Sequence, residues 1–127
     1  MSSFTRARFE ATGERRNGRA LYRITDGLTF DVGYLGSGVQ VRVPAGFVTD
    51  GPTMPAWAAR LLPARTMMKA AAVHDRLRED PRFSKADGDG IFYVAMCAEG
   101  TPVWLRWPAF LAVCLNRSRA QHQQVTA

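Results

Sequence analysis

Metal-binding side chains are scarce in this chain. Among 127 residues there are two cysteines, Cys97 and Cys114, and two histidines, His74 and His122. None of them shows ligand spacing, which excludes a zinc finger or ribbon, and one cysteine pair implies no disulfide framework. Both cysteines fall in apolar stretches of helical period, where small buried thiols are expected. Lysine is equally scarce: Lys69 and Lys85 are the only lysines among 17 basic residues, so arginine carries the formal charge of +6. Such an excess suits phosphate or carboxylate recognition through the planar guanidinium fork, although a GC-rich coding bias is the simpler account. Long apolar runs are missing too. The most apolar segment, Val103 to Leu115, is interrupted by Arg106 and Pro108 and falls short of the ~20 residues that cross a bilayer. The opening Met-Ser-Ser-Phe-Thr-Arg lacks the apolar core of a signal peptide, so folding in a cytoplasm is expected. No Gly-x-Ser-x-Gly elbow is present. The basic stretch Arg6, Arg8, Arg15, Arg16 and Arg19 comes with no motif that reads bases, so nucleic acid is not an expected partner.

What remains is an ordinary globular composition, 46% hydrophobic and 22% charged, in a chain of one-domain length. Residues 4–50 read as β structure. Leu21, Arg23 and Thr25, then Leu28, Phe30 and Val32, alternate with other residue types on either side of Asp26-Gly27, a two-residue hairpin signal. Val39, Val41 and Val43 share one face of a further strand that ends at Pro44. The glycines of Tyr34-Leu35-Gly36-Ser37-Gly38 suit a turn, and Asn17-Gly18 marks another after a strand near Ala7 to Ala11.

Residues 55–118 change to helical period. Trp57, Leu61 and Leu62 predict a short helix stopped by Pro63. From Thr66 to Glu79, Met67, Ala70, Ala71, His74 and Leu77 form one stripe, so His74 is expected to point inward. Asp80-Pro81 breaks that helix. Ser84 starts the next, over about Lys85 to Ala98, with Gly100 as its C-terminal cap. A last helix runs from about Thr101 to Ser118, with Pro108 as a kink or true start, and residues 119–127 are expected to fray. The predicted class is α+β: an N-terminal antiparallel β-sheet with hairpins, then three to four helices, in a single domain spanning 1–127.

One constellation carries chemistry. His74-Asp75 on one helix and Asp87 at the start of the next bring together an imidazole and two carboxylates. A neutral imidazole facing a carboxylate can take a proton from water or a hydroxyl, so His74 and Asp87 are the candidate catalytic pair. Asp75, ~100° round the helix, is free for another role, and with Asp50 it is a candidate oxygen ligand for calcium. Thr49 and Asp50 end the string Val43-Pro44-Ala45-Gly46-Phe47-Val48-Thr49-Asp50, which leads into Pro52, Thr53 and Pro55, a rigid segment of the sort that carries function, so Thr49, Asp50 and Thr53 are candidate binding or structural loop residues. The architectural alternative is a core histidine with one hydrogen bond, and a capping box in which Asp87 answers Ser84. Asp87-Gly88-Asp89-Gly90 fails as an EF-hand, having Ile91, Phe92 and Ala98 where the loop needs an oxygen ligand, glycine and glutamate.

With these blocks in order, Val43 to Phe47 with Thr49-Asp50 and Pro55, then Ala72-Val73-His74-Asp75, then Ala86-Asp87 with Phe92, the chain resembles a family of small phage and prophage proteins of unknown function. The resemblance covers roughly residues 28 to 115. Arg76-Leu77-Arg78 stands where many relatives have an aromatic, and Thr53 where serine is usual. The resemblance implies a phage-derived context near tail or lysis genes. A more local similarity runs to phospholipase A2: by that likeness His74 would activate water, Asp75 would hold calcium, Asp87 would orient His74, and Tyr34 to Gly38 would echo a calcium loop. Two functions follow as expectations. One is a phage accessory or virion protein, tail- or assembly-related, found in the host cytoplasm during synthesis and then in the virion, with other phage or virion proteins as partners. The other is a small His-Asp hydrolase acting on a phospholipid or an envelope polymer.

Overall fold

The computed structural model describes residues 4–16, 18–50 and 67–126, with the backbone alone for Arg19 and for 116–126. Among these residues five strands precede three helices, β1 (Phe9–Arg16), β2 (Arg19–Ile24), β3 (Leu28–Asp31), β4 (Gln40–Val43), β5 (Val48–Thr49), α1 (Met68–Leu77), α2 (Lys85–Glu99) and α3 (Val103–Thr126). The class is α+β, with two antiparallel sheets ahead of the helices, ordered β1-β2-β5 and β3-β4. The predicted short helix at Trp57 to Leu62, with Thr53, lies outside the described residues.

β1 and β2 pair antiparallel, with Arg16 opposite Arg19 at one end and Phe9 opposite Ile24 at the other. Its register shifts between Ala11 and Arg15, where Gly13 takes a positive φ of 81° and the Thr12 hydroxyl donates to the Leu21 carbonyl at 3.1 Å. The bulge lengthens β1 well past the expected Ala11.

Asp26-Gly27 is not the hairpin its type suggests. β2 already has β5 on its second edge, through Tyr22 opposite Thr49 and Arg23 opposite Val48. Ile24 is satisfied there as well, its N–H donating to the Phe47 carbonyl at 2.9 Å and its carbonyl accepting from Gly46 N–H at 2.8 Å. With no edge left for β3, Asp26-Gly27 carries the chain into the other sheet, where β3 pairs β4 with Leu28 opposite Val43 and Phe30 opposite Val41. Those four side chains face the core, at 3, 1, 0 and 0% exposure. Val39, expected on the same face, lies beyond the strand and is exposed. The Tyr34 to Gly38 segment does turn, with Ser37 N–H donating to the Tyr34 carbonyl and Gly36 N–H to the Asp31 carboxylate at 3.0 Å.

α1 lies against β4, β5 and α2. Its predicted stripe of Met67, Ala70, Ala71, His74 and Leu77 is buried, and Ala72 and Val73 are buried too. α1 has no side-chain cap from its own start. The Glu99 carboxylate, at the end of α2, accepts from Lys69 N–H at 3.0 Å and Ala70 N–H at 2.9 Å, which satisfies two orphan donors and sets negative charge at the helix's positive end. Burial pushes the Glu99 carboxyl above its ordinary range, against those backbone hydrogen bonds. α2 begins at Ser84 and ends at Gly100 in the left-handed region. There Thr101 N–H reaches Met96 O and Gly100 N–H reaches Cys97 O, a Schellman closure. α3 contains Pro108 and continues to Thr126, beyond the predicted fraying point. The sequence Arg119-Ala120-Gln121 consists of good helix formers, which outweighs the loss of apolar period. Cys97, expected as a buried thiol, is exposed. Among the described residues no helix is long and apolar enough to cross a membrane.

Candidate functional site

His74 and Asp75 are neighbours in α1 that face different surroundings, as consecutive helical residues must. His74 is 4% exposed. Its Nε2 lies 3.2 Å from Asp89 Oδ1, and its ring sits 4.9 Å from that of Phe92, centroid to centroid. An ionised carboxylate only accepts, so Nε2 carries the proton of this bond. The second Asp89 oxygen accepts from Lys85 Nζ at 2.9 Å, one helical turn earlier on α2. Cys114 of α3 is also hydrogen-bonded to Asp89, and the Cys114 thiol is raised by burial first and then by the Asp89 charge. Burial pushes the Asp89 carboxyl up, but the hydrogen bonds from His74 and Lys85 and the Lys85 charge outweigh it and leave Asp89 below its ordinary value. With Asp89 itself 2% exposed, the imidazole and carboxylate are sealed, while Lys85 and Cys114 are partly buried. Cys114 is a protonated thiol giving a weak hydrogen bond, the opposite of an activated nucleophile.

Asp87, expected opposite His74, does not reach it. Asp87 N–H donates to Ser84 Oγ at 3.1 Å, and Ser84 N–H donates to Asp87 Oδ2 at 3.2 Å, the reciprocal capping box. The cap commits the Asp87 carboxylate to the helix end. The phase of α2 then brings Asp89, two residues later, round to α1. A signal for this is in the sequence: Lys85, Asp89, Phe92 and Met96 recur at spacings of four, three and four, and Asp89, Phe92 and Met96 are all buried. Asp89 lay on the apolar stripe of α2, whereas Asp87 did not.

Asp75 meets the strand ends instead. Thr49 Oγ1 donates to Asp75 Oδ2 at 2.5 Å, and Thr49 is 2% exposed at the end of β5. The Asp50 side chain is hydrogen-bonded to Asp75 as well, and its negative charge disfavours a second one on Asp75. Burial first, and then the Asp50 charge, push Asp75 up to about 6, while the Thr49 hydroxyl and Arg78 pull the other way. The structure therefore brings Thr49, Asp50 and Asp75 together, and places His74 with Asp89, Lys85 and Cys114. Two carboxyls and a hydroxyl are hard oxygen donors of the kind calcium takes. Among the described residues, however, no group of three or more His, Cys, Asp or Glu side chains is arranged to hold a metal ion.

Two measurements check this geometry. In urea unfolding, Asp87→Ala is expected to cost about 1 kcal/mol, the worth of a cap, and Asp89→Ala about 3 to 5 kcal/mol, because it strands buried partners; equal losses would dissolve the distinction. The second concerns pH. An aspartate raised to about 6 in the fold binds more protons native than unfolded, so its contribution is complete below the ordinary value of 3.8 and fades as pH rises through about 6. Asp75→Asn, which keeps an acceptor for Thr49, is expected to match the parent's melting temperature near pH 4 and exceed it at pH 7. A constant difference between the two proteins across that range would count against the raised Asp75 carboxyl.

No curated protein and no solved structure matches the chain. A family model described as a protein of unknown function, DUF1353, matches residues 26–113, a span that takes in β3 to β5, all of α1 and α2 and the first half of α3, and with them every residue of both clusters except Cys114. The chain belongs to the DUF1353 family.

Proposed function

We propose that this protein is a non-catalytic phage or prophage accessory protein, tail-associated or linked to assembly, that works through contacts with other virion proteins. The observation that carries this reading is the outer face of α3. Leu105, Ala109 and Val113 point into the core at 0, 0 and 4% exposure, whereas Trp104, Trp107, Leu111 and Leu115, on the opposite side, stand 46, 56, 56 and 72% exposed. A helix apolar on both sides has a second face to cover, and contiguous exposed apolar groups mark interaction surfaces. Trp107 is held for the purpose, its ring 5.4 Å from Tyr93 and 6.2 Å from Phe110 between centroids. The sealed imidazole supports the same reading, since His74 braces helices and meets no solvent. The phage context rests on the resemblance of the three sequence blocks. The protein is expected to co-purify with gently prepared particles, and Leu111→Glu with Leu115→Glu to abolish that association while leaving the melting temperature within a few degrees. Particles that lack the protein would overturn the reading.

One observation favours a second reading, a small hydrolase acting on a phospholipid or an envelope polymer. The Asp75 carboxyl is raised to about 6 with the Asp50 side chain hydrogen-bonded beside it, a suitable poise for a general acid or base. Hydrolysis of phospholipid, assayed with and without calcium, would then vanish in Asp75→Asn and persist in Asp87→Asn. Identical traces from parent and Asp75→Asn end this reading.

A further inference from the structure

The arginine excess has a focus on the side of the molecule formed by β3, β4 and the solvent side of α1. A cavity of about 550 Å³ opens there, lined by Arg6, Arg42 and Arg76 with Thr5, Asp26 and Gly27. A smaller one of about 280 Å³ shares Arg42 and Arg76 with it and adds Arg82 and Asp80. The first has the size of a small-ligand site.

The charges around it do not cancel. Arg76 is spoken for, its Nη1 on Glu79 at 3.0 Å and its Nε on the Arg42 carbonyl at 3.3 Å. Arg82 is held by Asp80 at 2.8 Å. Asp26 has Arg8 at 4.0 Å. Arg42, by contrast, has only the neutral Gln40 amide oxygen on its Nε, at 3.1 Å. Among the described residues no carboxylate pairs with Arg6 or Arg42. The Thr5 hydroxyl accepts from Thr29 N–H at 2.9 Å, which leaves its own proton to donate into the cavity.

We infer that this cavity is a binding site for a single phosphate group, gripped between the Arg6 and Arg42 guanidinium forks with the Thr5 hydroxyl as a third donor. A carboxylate fills one fork, whereas a tetrahedral dianion offers enough oxygens for two forks on different elements. Asp26 lines the same cavity and Asp80 the adjoining one. A phosphate monoester or free phosphate has at least three terminal oxygens for the three donors and a phosphodiester only two, so the ligand is a phosphate monoester or free phosphate and not a nucleic-acid backbone. Arg76 stabilises the wall, since its Nε holds the backbone of Arg42.

Calorimetric titration of the full chain with inorganic phosphate, and separately with glycerol phosphate, tests this. One saturable site is expected, weakened at least about tenfold, or ~1.4 kcal/mol, in Arg6→Ala/Arg42→Ala. The double variant Arg15→Ala/Arg16→Ala removes the same charge from the exposed end of β1 and is expected to bind like the parent. Phosphatidic acid vesicles distinguish the source of the phosphate: binding that inorganic phosphate displaces identifies a lipid headgroup in the same site, and no vesicle binding leaves the soluble monoester. Equal weakening in both double variants would reduce the effect to diffuse charge and overturn the site. So would the absence of saturation with phosphate, or a preference for an acidic peptide over phosphate.

Discussion

The helical half is organised around one buried carboxylate. Asp89 accepts from His74 of α1, from Lys85 of its own helix and from Cys114 of α3, so a single negative charge joins all three helices. Burying such a charge costs several kcal/mol unless its oxygens are filled, and here both are. Directional bonds to three elements do what apolar packing alone does poorly: they fix the rotation of each helix about its axis. That rotation decides the rest. With His74 turned to Asp89, Asp75 must face β5, Arg76 must face β4 and the solvent, and the outer side of α3 must carry Trp107 and Leu111.

Much of this order was legible from residue types and spacing. The stripe through Met67, His74 and Leu77, the Ser84 start, the Gly100 stop and the β-then-α division all follow from periodicity and caps, which are local. The failures were matters of partner choice. Asp26-Gly27 has the chemistry of a hairpin turn, yet β2 pairs with β5, a strand more than twenty residues further on; no local rule sees a competitor for a strand edge. Asp87 and Asp89 are both acidic and both near the start of α2. What separates them is the phase of that helix against α1, and the capping box and the apolar stripe together encode it. Nothing local marks Glu99, because a carboxylate at the end of one helix gives no sign that it will cap another.

The two clusters differ in how they handle charge, and the difference bears on function. Around Asp89 the charge is kept, because cationic and neutral donors surround it in a closed interior. Around Asp75 the charge is partly given up, because burial disfavours it first and a second carboxyl beside it adds to that. The first arrangement is suited to permanence. The second responds to pH in the range where cells and their surroundings differ, and it ties the end of β5 to α1. An accessory protein that must survive the passage from cytoplasm to particle benefits from the former, and a hydrolytic centre would need the latter.

The cap that Glu99 places on α1 also has a temporal side. The donors it satisfies, Lys69 and Ala70, precede it by 30 and 29 positions. A ribosome delivers the beginning of α1 long before it delivers the group that completes it. The nascent helix must therefore wait, its first turn hydrated, until α2 has emerged along its whole length, which couples the two helices into one folding event and leaves no stage at which α1 stands finished alone.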